Sequence, residues 1–324
     1  YSLTIGGSGD TTFLAGLNTS TNGTLIKNGT GTLTLSAAGD YTGATTVNAG
    51  IVDVKNNTAL GTTAGSTTVA ANAAVQIDGS GLSIAEPFTL TGTGVSTGGA
   101  IRNLANNNTL SGLITLSTSA VRINSDSGTL TLDVASGNAI TATNINVTFG
   151  GSGNITVADP IATGSGTLTK DGTGSLTLSG ANTYSGGTIL SAGTLYIGVN
   201  TGYSSGITSS TIGTGTLTLG SATISSNANT TGGDRTLYNA VAFSSSPRTT
   251  IFGDGTYTGI LNFQTGSFAL GTSAARTFTI NTTTNIANTI TGSSSSITKG
   301  GASTLTPSGA NTYTGGTTIS NGVV

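Results

Sequence analysis

The sequence predicts an all-β protein, a right-handed parallel β-helix that coils into a β-solenoid. Internal repeats, alternating apolar residues and Gly-rich turns lead to this prediction. The segment 168–197 has related copies at 25–54 and 297–324, and such recurrence is typical of repetitive, stacked architectures. Each copy places a Lys fourteen residues before a Tyr.

The apolar residues of the repeats alternate with polar ones. Leu33 and Leu35 flank a Thr, as do Leu176 and Leu178. This period of two predicts strands, and the intervening Gly-Thr-Gly and Ser-Gly-Gly runs supply the turns between them. Small hydroxyl and amide residues suit the ladders of a solenoid, in which successive turns stack about 4.8 Å apart. Antiparallel sandwiches in series remain the alternative architecture.

The repeats predict one continuous solenoid over residues 1–324. Its long repeat units span about 1–144, 145–275 and 276–324, and the last unit is truncated. No Pro-rich or charged linker interrupts the segments between the repeats, 56–139 and 198–275, which we call the variable middles. Because the copies differ there, any binding site of the protein is expected in the variable middles.

Composition excludes several classes of function. Charged residues make up only 6% of the chain and the net charge is -2, so no basic surface is available for nucleic acid. The chain has no Cys and no His, which excludes thiolate metal sites and a Ser-His-Asp triad. No run of about 18 apolar residues is present, so we expect no membrane insertion by this segment. We also expect no metal and no cofactor.

The recurring Lys and Tyr side chains are interpreted as a structural signature of the repeat. We expect each Lys to lie at a solvated corner, with its stem over apolar surface, and each Tyr to keep its hydroxyl in water. A periodic row of ligand contacts is the alternative. The signature residues are Lys27, Tyr41, Lys170, Tyr184, Lys299 and Tyr313.

Hydrolysis of a polysaccharide needs two convergent acidic groups. Stacking brings together residues about one turn apart. Lone Asp residues in Gly-rich turns usually cap their own backbone, so we expect none of the pairs to form a cluster. The pairs are Asp53 with Asp78, Asp133 with Asp159, and Asp234 with Asp254 beside Arg235.

The segment Gly-Thr-Gly-Ser-Leu-Thr-Leu-Ser-Gly-Ala-Asn-Thr-Tyr-Ser-Gly-Gly-Thr, residues 172–188, resembles the autotransporter-associated β-strand repeat. Residues 308–318 match it fully, and residues 37–45 are a looser version. The repeat occurs in the passenger regions of bacterial surface proteins secreted by the type V route. The resemblance implies a parallel β-helix at the bacterial cell surface or outside the cell, where such proteins serve adhesion, aggregation or display.

These observations predict an extracellular structural or adhesive β-solenoid without catalytic activity. The expected partners are a host or neighbouring-cell surface, a polysaccharide, or further copies of the chain. Two alternatives remain. The last repeat stops at Val324, before the strand that ends the other copies, which favours end-to-end stacking into a filament or sheath. The other alternative is a β-helical protein that binds or cleaves polysaccharides.

Overall fold

The computed structural model describes residues 2–18, 22–244 and 248–324. The chain divides into two compact units, Tyr1–Gly166 (unit 1) and Thr167–Val324 (unit 2). Each unit is a stack of short strands joined by turns. A single one-turn helix, α1 (Thr230–Gly233), and a 3-10 turn (Val95–Thr97) are the helical elements of the described residues. No helix in these ranges has the length and apolar content to cross a membrane.

The described strands of unit 1 follow one another with short turns. In chain order they are β1 (Ser2–Ile5), β2 (Thr11–Phe13), β3 (Thr24–Lys27), β4 (Thr32–Leu35), β5 (Thr45–Val47), β6 (Gly50–Val54), β7 (Thr67–Val69), β8 (Ala73–Ile77), β9 (Ser83–Ile84), β10 (Phe88–Leu90), β11 (Ile101–Asn103), β12 (Asn107–Leu110), β13 (Ile114–Leu116), β14 (Val121–Ser125), β15 (Thr129–Leu132), β16 (Ile140–Thr141), β17 (Val147–Gly150), β18 (Asn154–Val157) and β19 (Ile161–Ala162).

Unit 2 repeats this organisation. Its strands are β20 (Leu168–Lys170), β21 (Ser175–Leu178), β22 (Thr188–Leu190), β23 (Thr194–Ile197), β24 (Gly202–Tyr203), β25 (Ile207–Ser209), β26 (Leu217–Leu219), β27 (Thr223–Ser226), β28 (Arg235–Leu237), β29 (Val241–Phe243), β30 (Arg248–Phe252), β31 (Leu261–Phe263), β32 (Ser267–Ala269), β33 (Ala275–Ile280), β34 (Thr284–Ile286), β35 (Thr289–Thr291), β36 (Ser296–Gly300), β37 (Leu305–Pro307) and β38 (Thr317–Ile319).

Strands that are neighbours in a sheet are distant in sequence, which is the topology of a solenoid. Unit 1 has three sheet faces, with the orders β1-β3-β5-β7-β10-β13-β16-β19, β2-β4-β6-β8-β11-β14-β17 and β9-β12-β15-β18. Unit 2 also has three, with the orders β20-β22-β26-β29-β32-β35, β21-β23-β27-β30-β33-β36-β38 and β28-β31-β34-β37. The predicted all-β solenoid of parallel sheets is confirmed. The single continuous solenoid and its long repeat units stay predictions.

The core of each unit is a set of inward-facing ladders. Alternation along a strand sends one residue inward and the next outward, so residues in register share a face. The longest apolar ladder of unit 1 has its side chains completely or almost completely buried. It runs through Leu33, Val52, Val75, Ile101, Ile123 and Phe149.

The one antiparallel pair of strands in the described residues is a hairpin, β24–β25, in unit 2, which an isolated antiparallel bridge between Asn182 and Ser210 accompanies. Its turn lies in the second variable middle, directly after the second repeat. The hairpin departs from the parallel pairing of the other sheets, and the alternation of apolar and polar residues in the sequence did not indicate it.

Candidate functional site

The Lys of each repeat is buried. Lys27 and Lys170 are 2% exposed and Lys299 is 0% exposed. Each occupies the last inward position of its strand segment, two residues after a buried Leu or Ile. The expectation of a solvated corner is therefore wrong for all three. Burial lowers the pKa of Lys27, which nearby Asp10 partly offsets, and burial lowers the pKa of Lys299.

The ammonium groups of these lysines bind backbone carbonyls at constant offsets. Each Nζ donates to the carbonyl two residues ahead, in its own turn, and to the carbonyl 22 residues ahead, in the next turn. The acceptors are Gly29 and Ala49 (3.3 Å) for Lys27, Gly172 and Ala192 (3.4 Å) for Lys170, and Gly301 (2.6 Å) and Asn321 (2.9 Å) for Lys299. Each ammonium thus joins two successive turns.

A Gly 23 residues after each Lys leaves room for the ammonium. Gly50, Gly193 and Gly322 have φ angles of 69°, 72° and 75°, a conformation that Gly adopts readily. A Cβ on Gly50 would lie 2.8 Å from Lys27 Nζ, and one on Gly193 would lie 2.7 Å from Lys170 Nζ. The Lys and the Gly are therefore one spatial unit, which the sequence analysis missed.

The Tyr of the repeat also points inward. Tyr41 is 1% exposed and Tyr184 is 0% exposed, so the expectation of a hydrated hydroxyl is wrong for both. Their hydroxyls share hydrogen bonds of 2.7 Å with Thr45 and Thr188, four residues ahead. Burial raises the pKa of Tyr41 and Tyr184. Tyr313 is half-buried and makes the same contact with Thr317.

The strands of the repeat pair with the next turn in the same register in each copy. Leu25 pairs with Thr45, Leu168 with Thr188, and Ile297 with Thr317. A family model for the passenger-associated-transport repeat matches residues 25–54, 168–197 and 297–324. These three segments match the passenger-associated-transport repeat. The resemblance to the autotransporter passenger repeat is confirmed.

Neither the curated proteins nor the solved structures give a match to the chain.

The second and third passenger-associated-transport repeats begin in different sheets of unit 2. The second begins with β20, and the third begins with β36. The repeat therefore forms the same contacts on different faces of the solenoid, so its geometry is local.

The first carboxylate pair converges on a Lys in unit 1. Lys55 Nζ lies 3.7 Å from Asp53 Oδ2 and is hydrogen-bonded to Asp78 Oδ2. The expectation that no pair would form a cluster is wrong here. Burial raises the pKa of Asp53, against the opposing effect of Lys55. Because Lys55 contacts both carboxylates, the group is an ion-paired cluster.

A second ion pair extends this charged face. Arg102 Nη2 lies 2.6 Å from Asp126 Oδ2. Arg102 follows Gln76 and Asp53 in register, so the two groups lie on one face of unit 1. The face carries both signs of charge in close pairs, and it therefore presents little net field to a charged ligand.

The other two Asp pairs bind backbone and hydroxyl groups. Asp159 accepts a hydrogen bond from the N–H of Val134 (2.7 Å), beside Asp133. Asp234 accepts one from the N–H of Ile260 (2.9 Å). The expectation that each Asp caps its own backbone is therefore wrong for Asp159 and Asp234, because the N–H groups that they bind belong to neighbouring turns.

Asp254 and Arg235 have separate environments. Asp254 accepts hydrogen bonds from the Tyr196 hydroxyl (2.7 Å) and the Ser225 hydroxyl (3.2 Å). Arg235 is buried, and its guanidinium donates to the carbonyl of Ile197 (2.9 Å) and to Asn227 Oδ1 (2.7 Å). Arg235 is thus held by groups that orient it inside unit 2. Among residues 2–18, 22–244 and 248–324 no group of three or more acidic side chains is suited to hold a metal ion.

Glu86, the single Glu of the chain, lies inside unit 1 at 4% exposure. It accepts a hydrogen bond from the buried hydroxyl of Thr67 (2.9 Å), which stacks on Thr45 and so continues the polar path from Tyr41. Glu86 also lines a cleft of about 280 Å³ with Leu60. Burial raises the pKa of Glu86 to about 7. The single hydrogen bond does not compensate for desolvation of the charged form.

We predict that Lys170→Met lowers the free energy of unfolding by about 1–3 kcal/mol, because the carbonyls of Gly172 and Ala192 lose a charged donor inside the unit. Methionine retains the apolar stem. Lys55→Met is the matched control, since Lys55 is exposed and its ion pairs contribute at most about 1 kcal/mol. Urea unfolding followed by circular dichroism measures both. Equal effects of the two substitutions would contradict a structural role for the buried ammonium.

We predict that stability falls as pH rises from about 4.5 to about 7. The ordinary pKa of Glu is 4.5 and that of folded Glu86 is about 7, so the unfolded chain ionises first and the native state is progressively disfavoured. The full effect is about 3 kcal/mol and is absent below the lower pKa. Glu86→Gln should remove this dependence in urea titrations, whereas Asp40→Asn, at an exposed carboxyl, should leave it in place. If the free energy of unfolding of Glu86→Gln still falls between these pH values, Glu86 is not the source of the pH dependence.

Proposed function

We propose that this chain is an extracellular structural and adhesive β-solenoid of a bacterial surface protein, without catalytic activity. The observation that carries the proposal is the set of three passenger-associated-transport repeats within parallel β-solenoid units. Such repeats and such a fold fit the passenger region of an autotransporter. A secreted surface location is the corresponding proposal for the protein as a whole.

The outer surface supplies a physical basis for adhesion. One column of outward-facing Thr residues on unit 1 runs through five successive turns, with each residue half-buried or exposed. Its members are Thr46, Thr68, Thr89, Thr115 and Thr141. Closely spaced hydroxyls that both donate and accept hydrogen bonds suit polar, uncharged surfaces. Steering by charge contributes little, because the chain carries a net charge of only -2.

The absence of catalysis is supported by the environments of the acidic side chains. Asp53 and Asp78 share Lys55, whereas Asp159 and Asp234 bind backbone N–H groups. Glu86 is enclosed. Assembly into a filament or sheath stays a prediction.

We predict that beads coated with the purified chain adhere to cell monolayers or to chain-coated glass more than albumin-coated beads do. Raising NaCl from 0.1 to 1 M should change this adhesion less than twofold, because the chain has few exposed charges whose interactions salt can screen. Bead counts under controlled flow give the measurement. Adhesion no greater than that of albumin would contradict the adhesive role.

A separate assay addresses catalysis. The chain is incubated with neutral and acidic polysaccharides, and release of reducing ends or of unsaturated uronate is followed. We expect no turnover above buffer. Turnover that disappears in Asp53→Asn, with the fold intact by circular dichroism, would overturn the non-catalytic proposal.

A further inference from the structure

The hairpin β24–β25 lies against the start of the third face of unit 2. The N–H of Thr201 donates to the carbonyl of Thr236 in β28 (2.9 Å), and the N–H of Thr236 donates to Asn200 Oδ1 (2.8 Å). The two residues just before the hairpin thus bind the outer edge of β28. The hairpin that follows them carries an aromatic residue onto the outer surface.

That residue, Tyr203, forms a flat ring pair with Tyr238. The ring centroids are 4.5 Å apart and the planes differ by 16°. Tyr203 is 48% exposed, in contrast to the buried Tyr41 and Tyr184 of the repeats. Stacking on Tyr238 fixes the orientation of the ring without burying it. A half-exposed, oriented aromatic ring beside polar groups is a feature of ligand-binding surfaces.

An amide ladder follows the same face. Thr236, Asn262 and Asn285 are in register on successive turns, at outward-facing and half-buried positions. Asn285 Nδ2 donates to Asn262 Oδ1 (2.8 Å), which holds both side chains in place. Each amide carries two N–H donors and an oxygen acceptor, so a fixed ladder offers hydrogen-bonding groups at the spacing of the strands, about 4.8 Å.

The charged residues nearest in sequence to the ring pair are Asp234 and Arg235, at the start of β28. Arg235 is buried on carbonyl groups, whereas Asp234 is exposed and its carboxylate caps the N–H of Ile260. The exposed charge beside Thr236 is therefore acidic, which disfavours an acidic ligand and is compatible with a neutral one.

We propose that the Tyr203 platform, defined as Tyr203, Tyr238, Thr236, Asn262 and Asn285, binds an uncharged polysaccharide. This inference rests on the proposed adhesive function and names its ligand class. A pyranose ring has an apolar C–H face, which packs on an aromatic ring, and hydroxyls at its edge, which bond to amides and to Thr. A polysaccharide repeats its sugar units along its length, as the ladder repeats its polar side chains along unit 2.

The test uses the intact chain in native gels that contain dextran, mannan or a linear β-glucan, with dextran sulfate and polygalacturonate as charged counterparts. We expect at least one of the neutral polymers to retard the chain and the charged polymers to have no effect. Tyrosine emission provides a second signal, because the chain has no Trp. Absence of binding to all three neutral polymers, or binding to the charged ones alone, would overturn the inference.

Variants locate the site. Tyr203→Ala should weaken binding at least tenfold, and so should Tyr203→Leu, which keeps apolar contact with Tyr238 but lacks a flat ring. Tyr203→Phe should bind within threefold of the original chain. Ile319→Ala is the matched control, because Ile319 is an exposed apolar residue of the same unit, at 55% exposure. Undiminished binding in both Tyr203→Ala and Tyr203→Leu would place the ligand elsewhere and refute the platform.

Two further measurements separate this inference from the proposed function. If beads adhere but no neutral polysaccharide binds, the platform is wrong and the adhesive role stands. If polysaccharide binds through Tyr203 but beads do not adhere, the platform stands as a binding site and the adhesive role fails. Sedimentation velocity tests whether a second copy of the chain occupies the platform instead. A dimer that the substitution Tyr203→Ala dissociates would show that it does, and would overturn the inference.

Discussion

The register between successive turns is the constraint on which the rest of the structure depends. Most strands of the solenoid bond to strands in the turns before and after them, and a slip by one residue would turn their apolar side chains outward. The passenger-associated-transport repeats add a charged contact to that register. In each copy a buried ammonium binds a carbonyl of its own turn and a carbonyl 22 residues ahead, so two turns are held at a fixed offset.

The repeat combines this contact with two others that require the same spacing. The Gly 23 residues after the Lys leaves space for the ammonium, and the Tyr hydroxyl is held by a Thr on the strand that stacks on the Lys-bearing strand. Buried polar groups are costly without partners and specify geometry when all are paired. These contacts explain how a chain with few charged residues and many small side chains selects one register among similar alternatives. The repeat is therefore a structural unit, and the features suited to ligand binding lie largely outside it.

The fold was predictable because it depends on local patterns. Alternation of apolar residues gave the strands, and recurrence of 168–197 gave the stacking. The buried positions of Lys27 and Tyr41 were not predicted, because Lys is rarely buried in proteins and Tyr is intermediate in its burial. The signal was nevertheless present: Leu25 and Lys27 have the same parity in β3, and period two sends both inward. The convergence of Asp53 with Asp78 on Lys55 and the pairing of Tyr203 with Tyr238 depend on tertiary stacking, which no local pattern encodes.

Selective labelling of lysine amines tests the central claim most directly. The chain has four Lys, of which Lys55 is exposed and the other three are the buried residues of the repeats. Acetylation of the native protein with an activated ester, followed by peptide mass spectrometry, should modify Lys55 and leave Lys27, Lys170 and Lys299 unmodified until urea unfolds the chain. Labelling of the three repeat lysines at the rate of Lys55 under native conditions would contradict the buried ammonium contacts and the account of register built on them.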